Sequence, residues 1–364
     1  MKQGLESVEA LLDRASNLAA RKRDYVSDVR NTHMTYEGND QFRVHINDEV
    51  AYKTNDNVLQ QMSQWAHLPM TYINYMRDNG QHQLVADNFN TWFDKPTTKS
   101  VRRLYRGLAG EYSSTDDLWR SFHSDKFQRI DHEHILEDLL PQLEELVKIF
   151  GEIKIVSCQI TDNKMYLKIL FPEQEAKVVG DVVQMGLVIG NSEIGKSNVY
   201  ILPLAHILRC LNGMVLPHSG IKRRHIGSSI ESDGMVTYAE DTLEANLKAI
   251  RLQLRDSMND IMGKFQDGTF VQELRESNDT TSAKEPFKAV EATAKLFNLT
   301  DSEKEKTKLS FARLGNFTKW GMMNAVTEVA NTHESYDRAS ELEVMGGKII
   351  TMPNRDWDRI ALAA

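Results

Sequence analysis

The stretch EIKIVSCQI-TDN-KMYLKILFP (152–172), followed by VVQMGLVI (182–189) and NVYILPLAHI (198–207), sets the class of this chain. Each run is rich in β-branched and aromatic residues, and polar turn-formers separate the runs, as in successive strands. On either side the period changes. Residues 132–150 place Leu136, Leu140, Leu143, Val147 and Phe150 at helical spacing, with Pro141 expected to kink or restart the helix. From Tyr238 onward, Leu243, Leu247, Ile250, Leu254, Met258, Ile261 and Phe265 stand three and four apart, which predicts one continuous helix over 238–265.

Further upstream, SVRRLYRGLAGEYSSTDDLWRSFHSDKFQRID (100–131) alternates arginines with aromatics around polar turns and reads as strands with a hairpin-like connection. QFRVHI-ND-EVAYKT (41–54) is a hairpin pattern around an Asn-Asp pair. Helices are expected over 5–23, from a cap at Thr54 or Asn55 with Val58, Met62 and Trp65 on one face, and from Pro69 to Arg77. RESNDTTSAKEP (275–286) is polar and weakly patterned, a linker candidate. Beyond it the chain reads as helical, ending with Gly346-Gly347 and a short strand, KIITM. The expected fold is therefore α+β, with an antiparallel central sheet over about 100–230, flanking helices and a helical C-terminal part. The expected divisions are 1–99 (mostly helical, with a hairpin), 100–274 (α+β core), 275–286 (linker) and 287–364 (helical).

At 364 residues the chain has room for about two domains. Hydrophobic residues at 41% and charged residues at 26% exclude a disordered chain. Two cysteines make no disulfide framework, so Cys158 and Cys210 read as reduced thiols. The apolar run from Tyr200 to Leu208 is short and contains Pro203, so no membrane span is expected. The first 23 residues carry acids and no apolar block, unlike a signal peptide. The expected compartment is the cytoplasm.

The 44 basic residues against 52 acidic ones weigh against a histone-like nucleic-acid binder and leave room for a local basic groove. Three clusters stand out. Arg102, Arg103 and Arg106 surround Leu104 and Tyr105. Arg120, Lys126 and Arg129 interleave with Trp119, Phe122 and Phe127. Lys222, Arg223 and Arg224 are consecutive. Cations neutralise phosphates and exposed rings such as Tyr105 or Phe127 could stack on unpaired bases, so the pattern suits single-stranded nucleic acid. The competing expectation is that the charges solvate strand faces and the aromatics are core.

Gly190-Asn191-Ser192-Glu193-Ile194-Gly195-Lys196-Ser197 fits G-x-x-x-x-G-K-[ST]. A phosphate loop uses Gly190 and Gly195 for backbone approach, Lys196 for phosphates and Ser197 for Mg²⁺, and it opens a helix. Here NVYILPL follows, with Pro203 where that helix should run, so a strand-to-strand connection is preferred. Asn191 and Ser192, in a glycine-flanked bend, could offer N–H groups to a phosphate. His132 and His134 flank Glu133 but point to different helix faces, and no zinc spacing occurs. No cofactor, metal or catalytic residue is expected.

LWRSFHSDKFQRIDHEHIL (118–136) resembles a "vRA-x-x-SDrYr-x-lDn" signature, and GLVIGNSEIGKSNVYILPLAHILRCLNGMVLPHSGIKRRHIG (186–227) resembles "G-x-x-x-x-NSE-x-G…RHxG". Both belong to a family of phage- and plasmid-like proteins described only as a domain of unknown function. The likeness covers about 40–265, and residues 319–349 look like that family's tail. The resemblance implies mobile-element cargo, with nucleic acid as partner class, and makes the Lys196-Ser197 match incidental. Separately, strands, a basic segment and a long amphipathic helix follow an order similar to the core of phage single-strand annealing proteins.

The function expected from these readings is a non-enzymatic DNA-binding protein of a phage or mobile element, acting in single-strand binding or annealing during recombination or replication. The alternatives are a P-loop NTPase and a protein-interaction or host-defence inhibitor module. A homo-oligomer is left open.

Overall fold

The apolar runs build two six-stranded sheets in the computed structural model, which describes residues 1–4, 6–96, 101–217, 220–223 and 240–362. The first sheet holds β1 (Lys22–Asp28), β2 (Thr32–Gly38), β3 (Gln41–Ile46), β4 (Val50–Thr54), β5 (Arg102–Leu108) and β6 (Leu118–Ser124), in the order β1-β5-β6-β4-β3-β2. Its pairs are antiparallel except β4 with β6. The second holds β7 (Lys154–Ile160), β8 (Met165–Val178), β9 (Asp181–Asn191), β10 (Val199–Ile207) and β11 (Asn212–Val215) in sequential order. β12 (Ile221–Arg223) pairs with β10 beside β11, and every pair in this sheet is antiparallel.

The α+β class with antiparallel sheets, helices and a helical C-terminal part is thus what the chain adopts. The strands divide between two sheets because β5 and β6 insert between β1 and β4. A boundary at 99/100 therefore cuts through the first sheet.

Local chemistry explains the turns. Asn47 and Asp48 both have positive φ, at 53° and 58°, the type I′ geometry that matches strand twist in the β3–β4 hairpin. The Asn55 side chain accepts from Val58 N–H and caps α2 (Asp56–Ala66). α1 (Val8–Arg21), α3 (Met70–Asp78) and α4 (His82–Asp94) complete the N-terminal helices. α2, α3 and α4 cover one face of the first sheet and bury Phe42, Val44, Tyr105, Trp119 and Phe122.

α5 (His132–Phe150) runs through Pro141 without ending. Its buried stripe is Ile135, Leu136, Leu139, Leu143, Leu146 and Phe150, whereas Leu140 and Val147 face solvent. Spacing alone cannot separate two adjacent apolar stripes at 3.6 residues per turn. α6 (Glu240–Gln266) is continuous and buries Ile250, Leu254, Met258, Ile261 and Phe265. The side chains of Leu243 and Leu247, and Tyr238 as a whole, lie outside the described residues.

The C-terminal part is α7 (Thr269–Glu276), α8 (Pro286–Phe297), α9 (Asp301–Leu314), α10 (Lys319–Asn331), α11 (Tyr336–Thr351) and α12 (Asn354–Ala361). Residues 277–285 are tied down rather than free. Ala283 N–H donates to Phe317 O, Lys284 N–H donates to Ala361 O, and Trp357 Nε1 donates to Thr281 O. KIITM is not a strand but the last turn of α11, with Met352 as its C-cap. Gly346 and Gly347 let that helix approach β11 so closely that a Cβ on Gly347 would sit 1.8 Å from Val215 O. Pro203 is tolerated inside β10 because it falls in the gap between the β12 pairing (199–201) and the β11 pairing (204–207). Among the described residues no helix is long and apolar enough to cross a membrane.

Candidate nucleic-acid interface

The β5–β6 register shifts at Arg106/Gly107, so that Arg106 faces Ser121 and Gly107 faces Trp119, leaving Arg120 as the extra residue. Arg106 and Arg120 then meet the loop after β9 and the start of α5. Arg106 Nη2 donates to Asp131 Oδ1 at 2.6 Å, Nη1 donates to Glu193 O at 2.8 Å, and Nε lies 3.3 Å from Asp24. Lys22 pairs with the other oxygen of Asp131. Asp131 is the N-cap residue of α5, yet its side chain makes no capping bond because both oxygens are held by cations.

Arg120 Nη1 donates to Glu193 Oε2 at 2.8 Å, and His132 N–H donates to Glu193 Oε1 at 2.9 Å. Asn191 Nδ2 donates to Ile130 O and lies 3.0 Å from His132 Nδ1. Ser192 Oγ donates to Asn163 O. The segment around Asp131 and the segment around Glu193 therefore touch.

Electrostatics fit an interior clasp. Burial would lower the pKa of Arg106, but Asp131, Asp24 and Glu193 hold it above the ordinary arginine value. Burial would raise Glu193, but His132, Arg120 and Arg106 hold its carboxyl well below the usual carboxylate range. Asp131 is held low by Arg106 and Lys22 against burial. His132 is pushed down by burial. The Arg106 guanidinium and the carboxylates of Asp131 and Glu193 thus hold one another in their charged forms.

This placement corrects part of the expected phosphate surface. Arg106, Arg120, Asn191 and Ser192 are spent inside the protein, the first two neutralised by carboxylates and the last two without solvent contact. Arg103 lies 4.6 Å over the Phe122 ring, and burial lowers its pKa to about 10. Tyr105, Trp119, Phe122 and Phe127 are core, so neither Tyr105 nor Phe127 can stack on a base. Phe127 instead stacks on His123, with centroids 3.8 Å apart. The carboxylates Asp24, Asp131 and Glu193 were missed because acids are too numerous in the sequence to nominate any. The only signal was the position of Asp131 and Glu193 inside the two quoted signatures.

The Gly190–Ser197 segment lacks the helix a phosphate loop requires. Gly190 belongs to β9, residues 192–198 form the turn, and β10 follows at Val199. Ser192 Oγ accepts from Lys196 N–H at 3.0 Å, and Lys196 Nζ reaches Gln60 Oε1 at 2.9 Å. A Cβ on Gly190 would collide with the Tyr200 ring, and φ of Gly195 is +77°. The glycines serve packing and turn geometry.

What remains basic gathers at one end of the second sheet. The loop after β9 rests on the β6–α5 segment, where a Cβ on Gly195 would sit 3.4 Å from Phe127 Cε2, next to Lys126. β12 pairs Lys222 with Tyr200 and Arg223 with Val199, three residues beyond Lys196. No carboxylate among the described residues pairs with Lys126, Lys196 or Lys222, and Lys222 is pushed down by burial and by Lys348. Arg102 is exposed at the start of β5, and Arg129 is half-exposed with Asp24 3.8 Å away. The side chain of Arg223, and Arg224 as a whole, lie outside the described residues. Among the described residues no cluster of His, Cys, Asp or Glu could hold a metal ion. Comparison with family models, with curated proteins and with solved structures finds no match.

Proposed function

We propose that the protein binds single-stranded nucleic acid, DNA in the first instance, along the basic end of its second sheet, as a binding or annealing factor of a mobile element. One observation carries the reading. The β12 register and the packing of the 192–198 loop bring Lys222, Lys196 and Lys126, from separate parts of the chain, to one end of the fold without carboxylate partners among the described residues. Uncompensated lysines at the ends of strands meet phosphates as point charges and read no sequence.

Fluorescence anisotropy with a labelled oligo-dT tests it. Binding should weaken steeply from about 50 to 200 mM salt, since each neutralised phosphate of a single strand contributes about 0.7 to the log–log slope. Replacing Lys126, Lys196 and Lys222 together with Ala should flatten the slope by about two units, while Arg120→Ala should act through stability alone. Absence of binding at 50 mM salt to single strands, duplex and RNA alike would falsify the proposal.

A further inference from the structure

α5 and α6 diverge over the second sheet and leave a cleft of about 550 Å³ between them. Its walls and floor are Ile135 and Leu139 of α5, Ile189 of β9, Ile201 of β10, and Leu254 and Met258 of α6. The size is that of a small-ligand site, about 300–1,000 Å³. These six are aliphatic or thioether, and His134 and Gln142 of α5 complete the lining as its uncharged polar groups. A nucleobase would find a single imidazole and otherwise no flat surface, whereas a flexible hydrocarbon chain matches branched walls and an adaptable methionine.

The rim is charged and unevenly compensated. Lys248, Arg251 and Arg255 follow one another along α6, against Asp138 and Glu244. Asp138 is already taken, since both of its oxygens accept from Arg251. Among the described residues, Arg255 pairs with its exposed sequence neighbour Asp256 alone. Lys248 has no carboxylate partner among the described residues. An apolar slot lined by three cations against two carboxylates, with Lys248 left over, favours an amphipathic anion.

We propose that this cleft binds a free aliphatic carboxylate, with the hydrocarbon chain on Ile135, Leu139, Ile189, Ile201, Leu254 and Met258 and the head group at Lys248 and Arg255. The site is separate from the lysines of the nucleic-acid surface and stands without that reading. Arg251 positions the mouth by tying α6 to α5 through Asp138.

Titration calorimetry on the full chain, below micelle-forming concentrations, compares decanoate, decanol and decyltrimethylammonium. Decanoate should bind saturably at one site per chain, at least tenfold tighter than decyltrimethylammonium. Lys248→Glu with Arg255→Glu, both on the exposed side of α6, should cost decanoate at least tenfold and leave decanol unchanged, with circular dichroism confirming an intact fold. Equal affinity for the two head groups, or no saturable binding of decanoate, overturns the proposal. Preference for anionic phospholipid vesicles over decanoate overturns it in favour of a membrane surface. Displacement of decanoate by oligo-dT overturns it in favour of a nucleic-acid path through the cleft. Loss of oligo-dT binding in the Lys126, Lys196 and Lys222 variant with decanoate binding retained would leave this site standing alone.

Discussion

Arg106 on β5 and Asp131 at the start of α5 form an ion pair at 2.6 Å with both side chains almost wholly out of solvent, and through it the first sheet is clasped to the second. Glu193 receives the remaining guanidinium edge through its carbonyl, so the clasp joins three segments. Such a pair is weak evidence for added stability over an apolar substitute, but breaking one half strands a charge. Arg106→Ala should therefore cost about 3–5 kcal/mol in urea unfolding, and Asp131→Asn a comparable amount. A loss under about 1 kcal/mol for Arg106→Ala would show that water replaces the guanidinium at no cost, against the burial seen here.

Stability should fall with acid in two stages. Burial pushes His206 from 6.5 down to about 4 and lowers His132 as well. A folded-state pKa below the unfolded one means that the unfolded chain takes up protons the folded chain refuses. That stability is whole above about pH 6.5 and is lost as pH falls toward 4. Glu193 and Asp131, also depressed, contribute above the ordinary carboxylate range and lose their share below about pH 4. Melting temperatures at pH 7.5, 5 and 3.5 should decline at each step. A plateau from pH 7.5 to 4.5 would contradict the histidine part.

Two glycine-to-alanine changes should have opposite signs. Gly263 in α6 has open space where a Cβ would go, so Gly263→Ala should stabilise by about 0.5–1 kcal/mol through helix propensity. Gly347 in α11 has the Val215 carbonyl 1.8 Å from that position. There the clash exceeds the propensity gain, and Gly347→Ala should destabilise by about 1–3 kcal/mol. Chemical denaturation of both variants decides it, and a stabilised Gly347→Ala would mean that α11 is not seated on β11 as described.

Lys196→Ala should change stability by less than about 0.5 kcal/mol, because among the described residues its side chain makes only an exposed hydrogen bond to Gln60. No ATP binding should be detectable in either form by calorimetry, since β10 stands where the phosphate-binding helix would start. The same variant should lower the salt slope for oligo-dT by about 0.7. Saturable ATP binding lost with Lys196 would restore the phosphate-loop reading.

What the sequence determined by itself is local. The Asn47-Asp48 turn, a cap at Thr54 or Asn55 that falls to Asn55, and the α6 stripe from Ile250 to Phe265 each depend on residues a few positions apart and are seen in the fold. The α+β class follows from the same short-range periods. The tertiary structure alone decided the rest. KIITM has strand composition, yet it is helical because Gly346 and Gly347 seat it on β11, more than a hundred residues earlier in the chain. β5 and β6 sit between β1 and β4 by hydrogen bonds that no local pattern encodes. Arg102 and Arg106 look alike in RRLYRG, but one starts a strand in solvent and the other is enclosed by Asp24, Asp131 and Glu193. Arg106, held by these carboxylates, cannot meet a phosphate. The carboxylates that hold Arg106 come from β1, α5 and the loop after β9, distant in sequence and adjacent only once the two sheets have packed.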